Sequence, residues 1–140
     1  MIQIERRVGR LVEMSAGALD NPEDLRAVPG QLEKAVSTVP SSEHWFLVVD
    51  YRSIDVLLGN VVERIRPLVG QNARLPERVA ILVAPMHAIA RLQLARVLTS
   101  SRAQLRLTDS PSDVEEFMAD ALKLDERARL HAFVASPGGA

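Results

Sequence analysis

Hydrophobic and polar residues follow two different patterns along the first ninety residues. Within residues 2–7 apolar and polar positions alternate at the start, and a second short run rich in apolar residues, 11–14, follows Gly9. Two such runs on either side of a glycine predict an N-terminal β-hairpin. Residues 45–49 and 79–84, by contrast, are apolar at every position. Strands that are apolar on both faces are typical of the centre of a covered sheet, so we predict central, parallel strands at 45–50 and 78–84.

A third strand pattern comes later in the chain. From Ala103 to Thr108 the apolar residues occupy every second position, with polar residues between them. This alternation places the apolar side chains on one face only. We therefore predict a half-exposed strand near an edge of the sheet.

Helical signals separate and follow these strands. Asn21-Pro22-Glu23-Asp24 is typical of a helix start, with Asn as the N-cap and Pro at the first helical position. Pro29-Gly30 is expected to divide this helix into two pieces, the second from Gln31 to about Thr38. An apolar stripe within 58–69 predicts another helix.

A further helix is predicted to begin after Ser110. Ser110-Pro111-Ser112-Asp113 combines an N-cap serine with a proline at the first helical position and an acid at the third. The apolar residues that follow recur at helical spacing, which predicts a core face made of Val114, Phe117, Met118, Ala121 and Leu122.

The order of these elements, β-β-α-β-α-β-α-β-α, predicts the fold class. Strand–helix–strand units require right-handed crossovers and parallel strands, while the leading hairpin adds an antiparallel pair. We predict an α/β fold with a mixed sheet, an N-terminal antiparallel β-hairpin, parallel core strands and helices packed on the sheet. Residues 1–135 are predicted to form one domain, and 136–140 a flexible C-terminal tail.

Composition narrows the class of protein. The net charge of −1 does not favour nucleic acid as a partner, and the absence of cysteine excludes disulfides and thiolate metal sites. No apolar stretch approaches the roughly 20 residues that span a bilayer. The charged N-terminus does not resemble a signal peptide. These features together favour a cytoplasmic protein.

Motifs of catalysis and of cofactor binding are missing from the sequence. Its seven glycines form neither a dinucleotide fingerprint nor a phosphate loop, and its three histidines lie more than forty residues apart. We therefore expect no metal, no cofactor and no enzymatic activity.

The carboxyl ends of the predicted strands carry a polar cluster. Ligands of open α/β sheets bind beyond these strand ends, and the start of a helix near His87 favours anions. Asp50 is expected to cap a turn there, more readily than to bind a ligand. The possible ligand cluster consists of Asp50, Tyr51, Arg52, Ser53, His87 and Asp109.

The predicted helix 86–99 has apolar residues nearly all around it. One apolar face contains Ala88, Leu92, Ala95 and Thr99, and we expect it to pack on the sheet. The residues on the far side are then expected to bind a partner, with arginines at the rim of the patch. This predicted partner surface consists of Arg91, Leu94, Arg96, Val97 and Leu98. The alternative is that the segment 124–134 folds over the helix.

Three segments make the whole pattern similar to a known family. They are Phe46-Leu47-Val48-Val49-Asp50-Tyr51, Arg78-Val79-Ala80-Ile81-Leu82-Val83 and the strand, acidic turn and helix of 105–117. Over about residues 2–123 the chain resembles the STAS fold of anti-sigma-factor antagonists, and more closely the SpoIIAA-like (STAS/SEC14-type) bacterial proteins. The resemblance implies their scaffold and a role in binding another protein.

The chain departs from that family at one functional position. The antagonists carry a phosphorylatable serine in a turn shortly after the aspartate that ends a central strand. Here the corresponding stretch is Val56-Leu57-Leu58-Gly59-Asn60, which has no hydroxyl group. The resemblance therefore implies the scaffold without the phosphorylation switch.

The expected function is that of a non-enzymatic protein-interaction module of bacterial signalling or assembly. Its partner is another protein or a second copy of the chain in a homodimer. The alternative is a small-molecule or lipid-binding module that uses the carboxyl ends of the strands. An enzyme with a nonstandard site is the third possibility.

Overall fold

The structure, a computed structural model, describes residues 2–17, 22–54, 74–98 and 104–136. Within these ranges the chain forms five strands and four helices, which we number in chain order. They are β1 (Ile2–Val8), β2 (Leu11–Ala16), α1 (Pro22–Ser37), β3 (Phe46–Asp50), β4 (Arg78–Leu82), α2 (Ala88–Leu98), β5 (Gln104–Thr108), α3 (Pro111–Met118) and α4 (Leu124–Ala135).

The strands form one mixed sheet in the order β1-β2-β3-β4-β5. β1 and β2 pair antiparallel, and every later neighbour pairs parallel. The predicted fold class is confirmed. The two continuous apolar runs form the interior strands β3 and β4, and the alternating run forms the edge strand β5.

Alternation along the strands divides the core between two sheet faces. On one face, Phe46, Val48 and Leu82 pack with residues of α3 and α4. On the opposite face, Val49 and Ile81 pack with residues of α1 and α2. We call these the α3/α4 face and the α1/α2 face. Because α2 and α4 lie on opposite faces, the alternative in which 124–134 covers helix 86–99 is wrong.

α1 is one helix, so its predicted division at Pro29-Gly30 is wrong. Pro29 lies inside the helix and Gly30 is exposed, with open space where a side chain would be. A proline inside a helix costs about 3 kcal/mol and a glycine about 1 kcal/mol. The helix continues because Val28, Leu32 and Val36 are buried along one stripe on both sides of that point.

The cap predicted at Ser110 is confirmed. The Ser110 side chain accepts a hydrogen bond from the backbone N–H of Asp113, and α3 begins at Pro111. α3 ends at Met118, before the apolar pattern does, although Leu122 is still buried in the same core. The helix predicted within 58–69 and the end of the predicted tail, 137–140, lie outside the described residues.

Candidate functional site

Asp50 and Arg52, at the end of β3, form a buried ion pair. The Asp50 side chain is fully buried and accepts hydrogen bonds from Arg52 Nε and Nη2, both at 2.9 Å. The backbone N–H of Arg52 also donates to Asp50 Oδ1 at 3.0 Å, so Asp50 caps the turn as expected. The Arg52 guanidinium further donates to the carbonyls of Val134 and Ser136. This pair therefore joins the end of β3 to the end of α4.

Tyr51 and Ser53, the neighbouring residues of the possible ligand cluster, are not part of this ion pair. Tyr51 is buried among residues of the α1/α2 face, and burial raises the pKa of its hydroxyl to about 12. Ser53 is exposed. Asp50 and Tyr51 thus belong to opposite sides of the sheet, as successive residues of a strand do.

His87 and Asp109 lie near the start of α2. The Nδ1 atom of His87 is buried without a hydrogen-bond partner, and its carbonyl accepts from the backbone N–H of Arg91. Asp109 pairs with Arg91 at 3.5 Å, and both side chains are more than two-fifths exposed. The predicted ligand cluster is therefore divided into an internal ion pair, a buried tyrosine and a polar edge at the start of α2.

Leu94 is buried in the core beneath α2, so its assignment to the partner surface is wrong. Leu94 and Ala90 are 1% and 0% exposed and pack with Ile81 and Val83 of the sheet side. Residues 90 and 94 are separated by about one turn and so share a face. The side chains of Val97 and Leu98 lie outside the described ones, and Arg91 and Arg96 are exposed.

Ala88, Leu92 and Ala95, which we predicted to pack on the sheet, are exposed, so that prediction is wrong. Ile89 is 58% exposed and Leu92 66%, and Ala88 and Ala95 are also exposed. At 100° per residue these four fall within an arc of about 120° that is centred opposite Ala90 and Leu94, and the exposed Arg96 falls within the same arc. We call Ala88, Ile89, Leu92 and Ala95 the outer face of α2. Met86, 80% exposed, lies just before the helix.

α4 is attached to the hairpin by a buried ion pair between Arg10 and Glu126. The Glu126 carboxylate accepts from the backbone N–H of Arg10 at 2.7 Å and from its guanidinium at 2.8 Å. It also accepts from the backbone N–H of Lys123, which caps the helix. Burial alone would raise the pKa of Glu126, but these hydrogen bonds lower it to about 2. Glu126 is therefore ionised at neutral pH.

A second ion pair joins the same two elements. Glu13 of β2 is 4% exposed and accepts from Arg129 Nε and Nη2 at 2.7 and 2.8 Å. Gly9 has a φ of +56°, and a Cβ there would overlap the Glu126 carboxylate. The hairpin turn thus approaches α4 more closely than a residue with a side chain would permit.

A shallow depression of about 240 Å³ lies between α3 and α4. Its lining consists of Glu115, Glu116, Ala119, Arg127 and Leu130. Its volume is below the roughly 300 Å³ at which ligand pockets of proteins usually begin.

In the described part of the chain, no three His, Cys, Asp or Glu side chains are grouped to hold a metal ion. No helix within the described ranges is long and apolar enough to cross a membrane.

Periodicity did not identify the outer face of α2. Apolar residues surround this helix, so two different stripes could have faced the sheet. The ion pairs of α4 carry no local signal, since the partners in each pair are 116 residues apart. The available signal was Glu13, an acidic residue inside the apolar run 11–14, which requires a partner when it is buried.

Comparisons with known proteins add no family to this description. No family model matches the chain, and neither the curated proteins nor the solved structures contain a match to it.

Proposed function

We propose that this chain is a non-enzymatic protein-interaction module of bacterial signalling or assembly, acting in the cytoplasm. It binds its protein partner through the outer face of α2. The observation that carries the proposal is the exposure of Ile89 and Leu92 side by side on a helix that buries Ala90 and Leu94 on its opposite side. The resemblance of the sequence to STAS-type domains supports the same class of function.

Exposed side chains of this kind favour a partner energetically. Fully burying a leucine or isoleucine side chain contributes about 1.5–3 kcal/mol. Two adjacent ones, flanked by alanines, therefore offer a compact apolar centre for an interface. Arg91 lies at the edge of this centre, and arginine is enriched at protein interfaces.

The strand ends give less support to a small-molecule function. Asp50 and Arg52 direct their charged groups at each other, and Arg52 also donates to backbone carbonyls at the end of α4. A ligand at that position would have to replace bonds that hold the last helix. The outer face of α2 requires no such rearrangement.

The test is capture of a partner by the purified, tagged domain. Three proteins are compared, namely the wild type, the double variant Ile89→Glu/Leu92→Glu, and Leu124→Glu as the matched control. Leu124 is 76% exposed and lies at the start of α4, on the other side of the sheet. Circular dichroism and urea denaturation confirm that each variant is folded.

The expected result is that wild type and control bind the same protein, either from host extract or as an added second copy. The double variant should lose that binding while it keeps its fold. Equal binding by all three proteins, or loss in the Leu124→Glu control alone, would show that the outer face of α2 is not the binding surface.

A further inference from the structure

We infer that the outer face of α2 pairs with the same face of a second copy of the chain, with the two helices antiparallel about a two-fold axis near Leu92. This inference rests on the proposed function and names the partner of that surface. A two-fold pair requires only one self-complementary patch.

The spacing of side chains on the outer face is nearly symmetric about Leu92. Ala88 lies four residues before it and Ala95 three residues after it, on the same side of the helix. In an antiparallel pair centred there, Ala88 of one copy faces Ala95 of the other, and the two Leu92 side chains meet near the axis. Small residues on both sides of a large one let the helices approach closely, as interdigitating helix packing requires.

The charges at the Arg91 edge of this face are compatible with such a pair. Arg91 is next to Leu92, so the axis brings the two Arg91 guanidiniums near each other. Asp109, paired with Arg91 at 3.5 Å, supplies a carboxylate on each copy at the same place. Two arginines and two aspartates can therefore alternate across the axis, which removes the like-charge repulsion that would otherwise oppose pairing.

The size of the face sets the strength of the association. α2 has 11 residues and is about 16 Å long, so its outer face is smaller than the roughly 800 Å² per partner of a standard interface. Self-association is therefore expected to be reversible and dependent on concentration rather than permanent.

The chain contains no cysteine, so single engineered cysteines report the geometry directly. A disulfide requires Cα atoms within about 7 Å. In the antiparallel pair, Leu92→Cys is close to the same residue of the other copy. The two copies of residue 88, by contrast, are displaced from each other by about 10 Å along the helix axis. Leu92→Cys should therefore form a disulfide dimer on oxidation. Ala88→Cys and Ala95→Cys should each form little alone and should cross-link to each other when mixed, with one of them tagged.

Two controls make the experiment decisive. Leu124→Cys, at a remote position that is at least as exposed as Leu92, measures cross-linking by random collision. Sedimentation of the wild type over a roughly hundredfold range of concentration should show a monomer–dimer equilibrium. Leu92→Glu should weaken it roughly tenfold or more, while Leu124→Glu leaves it unchanged.

Several results would overturn the inference. Dimers of Ala88→Cys alone and of Ala95→Cys alone would indicate parallel helices. A wild type that remains monomeric, together with Leu92→Cys cross-linking no faster than Leu124→Cys, would exclude self-pairing. If a different protein is then captured in an Ile89- and Leu92-dependent way, the proposed function survives without this inference. If nothing is captured, both fail.

Discussion

α2 and α4 lie on opposite faces of one sheet and are attached to it in different ways. α4 buries Leu130, Phe133 and Val134 and is also held by charged groups at its start, middle and end. α2 buries Ala90 and Leu94 but leaves Ile89 and Leu92 in water. The difference separates a helix whose polar and apolar groups are used within the fold from a helix with apolar surface left for a partner.

The largest effect is expected from removing the centre of the α4 attachment. Glu126→Ala leaves Arg10, whose side chain is only 15% exposed, without its partner. Breaking a buried ion pair from one side costs about 3–5 kcal/mol. Urea denaturation followed by circular dichroism should show this loss in the free energy of unfolding. Glu116→Ala, at an exposed position of α3, is the control and should change little; an unchanged midpoint for Glu126→Ala would contradict the assignment.

A second pair of variants compares the two sides of α2. Leu94→Ala removes a buried side chain and is expected to cost about 2–5 kcal/mol of unfolding free energy. Leu92→Ala, two residues away and exposed, is expected to change the stability of the isolated domain by less than about 0.5 kcal/mol. The same denaturation experiment at low protein concentration measures both. Similar losses for the two variants would mean that Leu92 is also packed inside the domain.

The pH dependence of stability tests the ionisation of Glu126. Its pKa is about 2 in the folded protein and 4.5 ordinarily, so the unfolded chain binds the proton first as the pH falls. The stabilisation is therefore complete above about pH 5 and is lost between about pH 4.5 and 2. The total loss is about 3 kcal/mol, since each pKa unit corresponds to about 1.4 kcal/mol.

The measurement for this prediction is the difference in unfolding free energy between wild type and Glu126→Gln at several pH values. Glutamine does not titrate, so the difference isolates the carboxylate from other acids. A difference that stays constant from pH 6 to about pH 2 would show that the folded pKa is not lowered.

The smallest effect is expected at a purely local contact. Ser110→Ala removes the N-cap bond to the Asp113 backbone and should cost about 1 kcal/mol, within the usual range for caps. Ser41→Ala, at an exposed position in the turn before β3, should have no measurable effect. If thermal or urea unfolding does not distinguish the two variants, the cap contributes nothing to the stability of α3.

Local signals in the sequence predicted most of the fold. Two apolar runs indicated the interior strands β3 and β4, and Ser110-Pro111 indicated the start of α3. Exceptions were α4, which the predicted order of elements did not contain, and Pro29, where local helix-breaking signals were outweighed by the burial of Val28 and Leu32. That burial depends on the sheet beneath the helix, which a local pattern does not contain.

The candidate site was predicted less well for the same kind of reason. Asp50 was correctly expected to cap a turn. Its bond to the backbone of Arg52 joins residues only two positions apart, so a local pattern in the sequence is enough to indicate it. The orientation of α2 depends instead on which of its apolar stripes fits the sheet. Ala90 and Leu94 fit, whereas the apolar periodicity of the helix indicated the face that contains Leu92.

The ion pairs Arg10–Glu126 and Glu13–Arg129 each connect residues that are 116 positions apart, so they also have a consequence for folding kinetics. Contacts of such large sequence separation close the longest loops and form slowly. Until α4 docks, β2 carries an acidic side chain on an apolar sheet face without its partner. In the transition state for folding, the parallel strands are therefore expected to be assembled while α4 is still undocked. Mutational φ-value analysis of the folding kinetics should then give values near zero at Glu126 and Arg129.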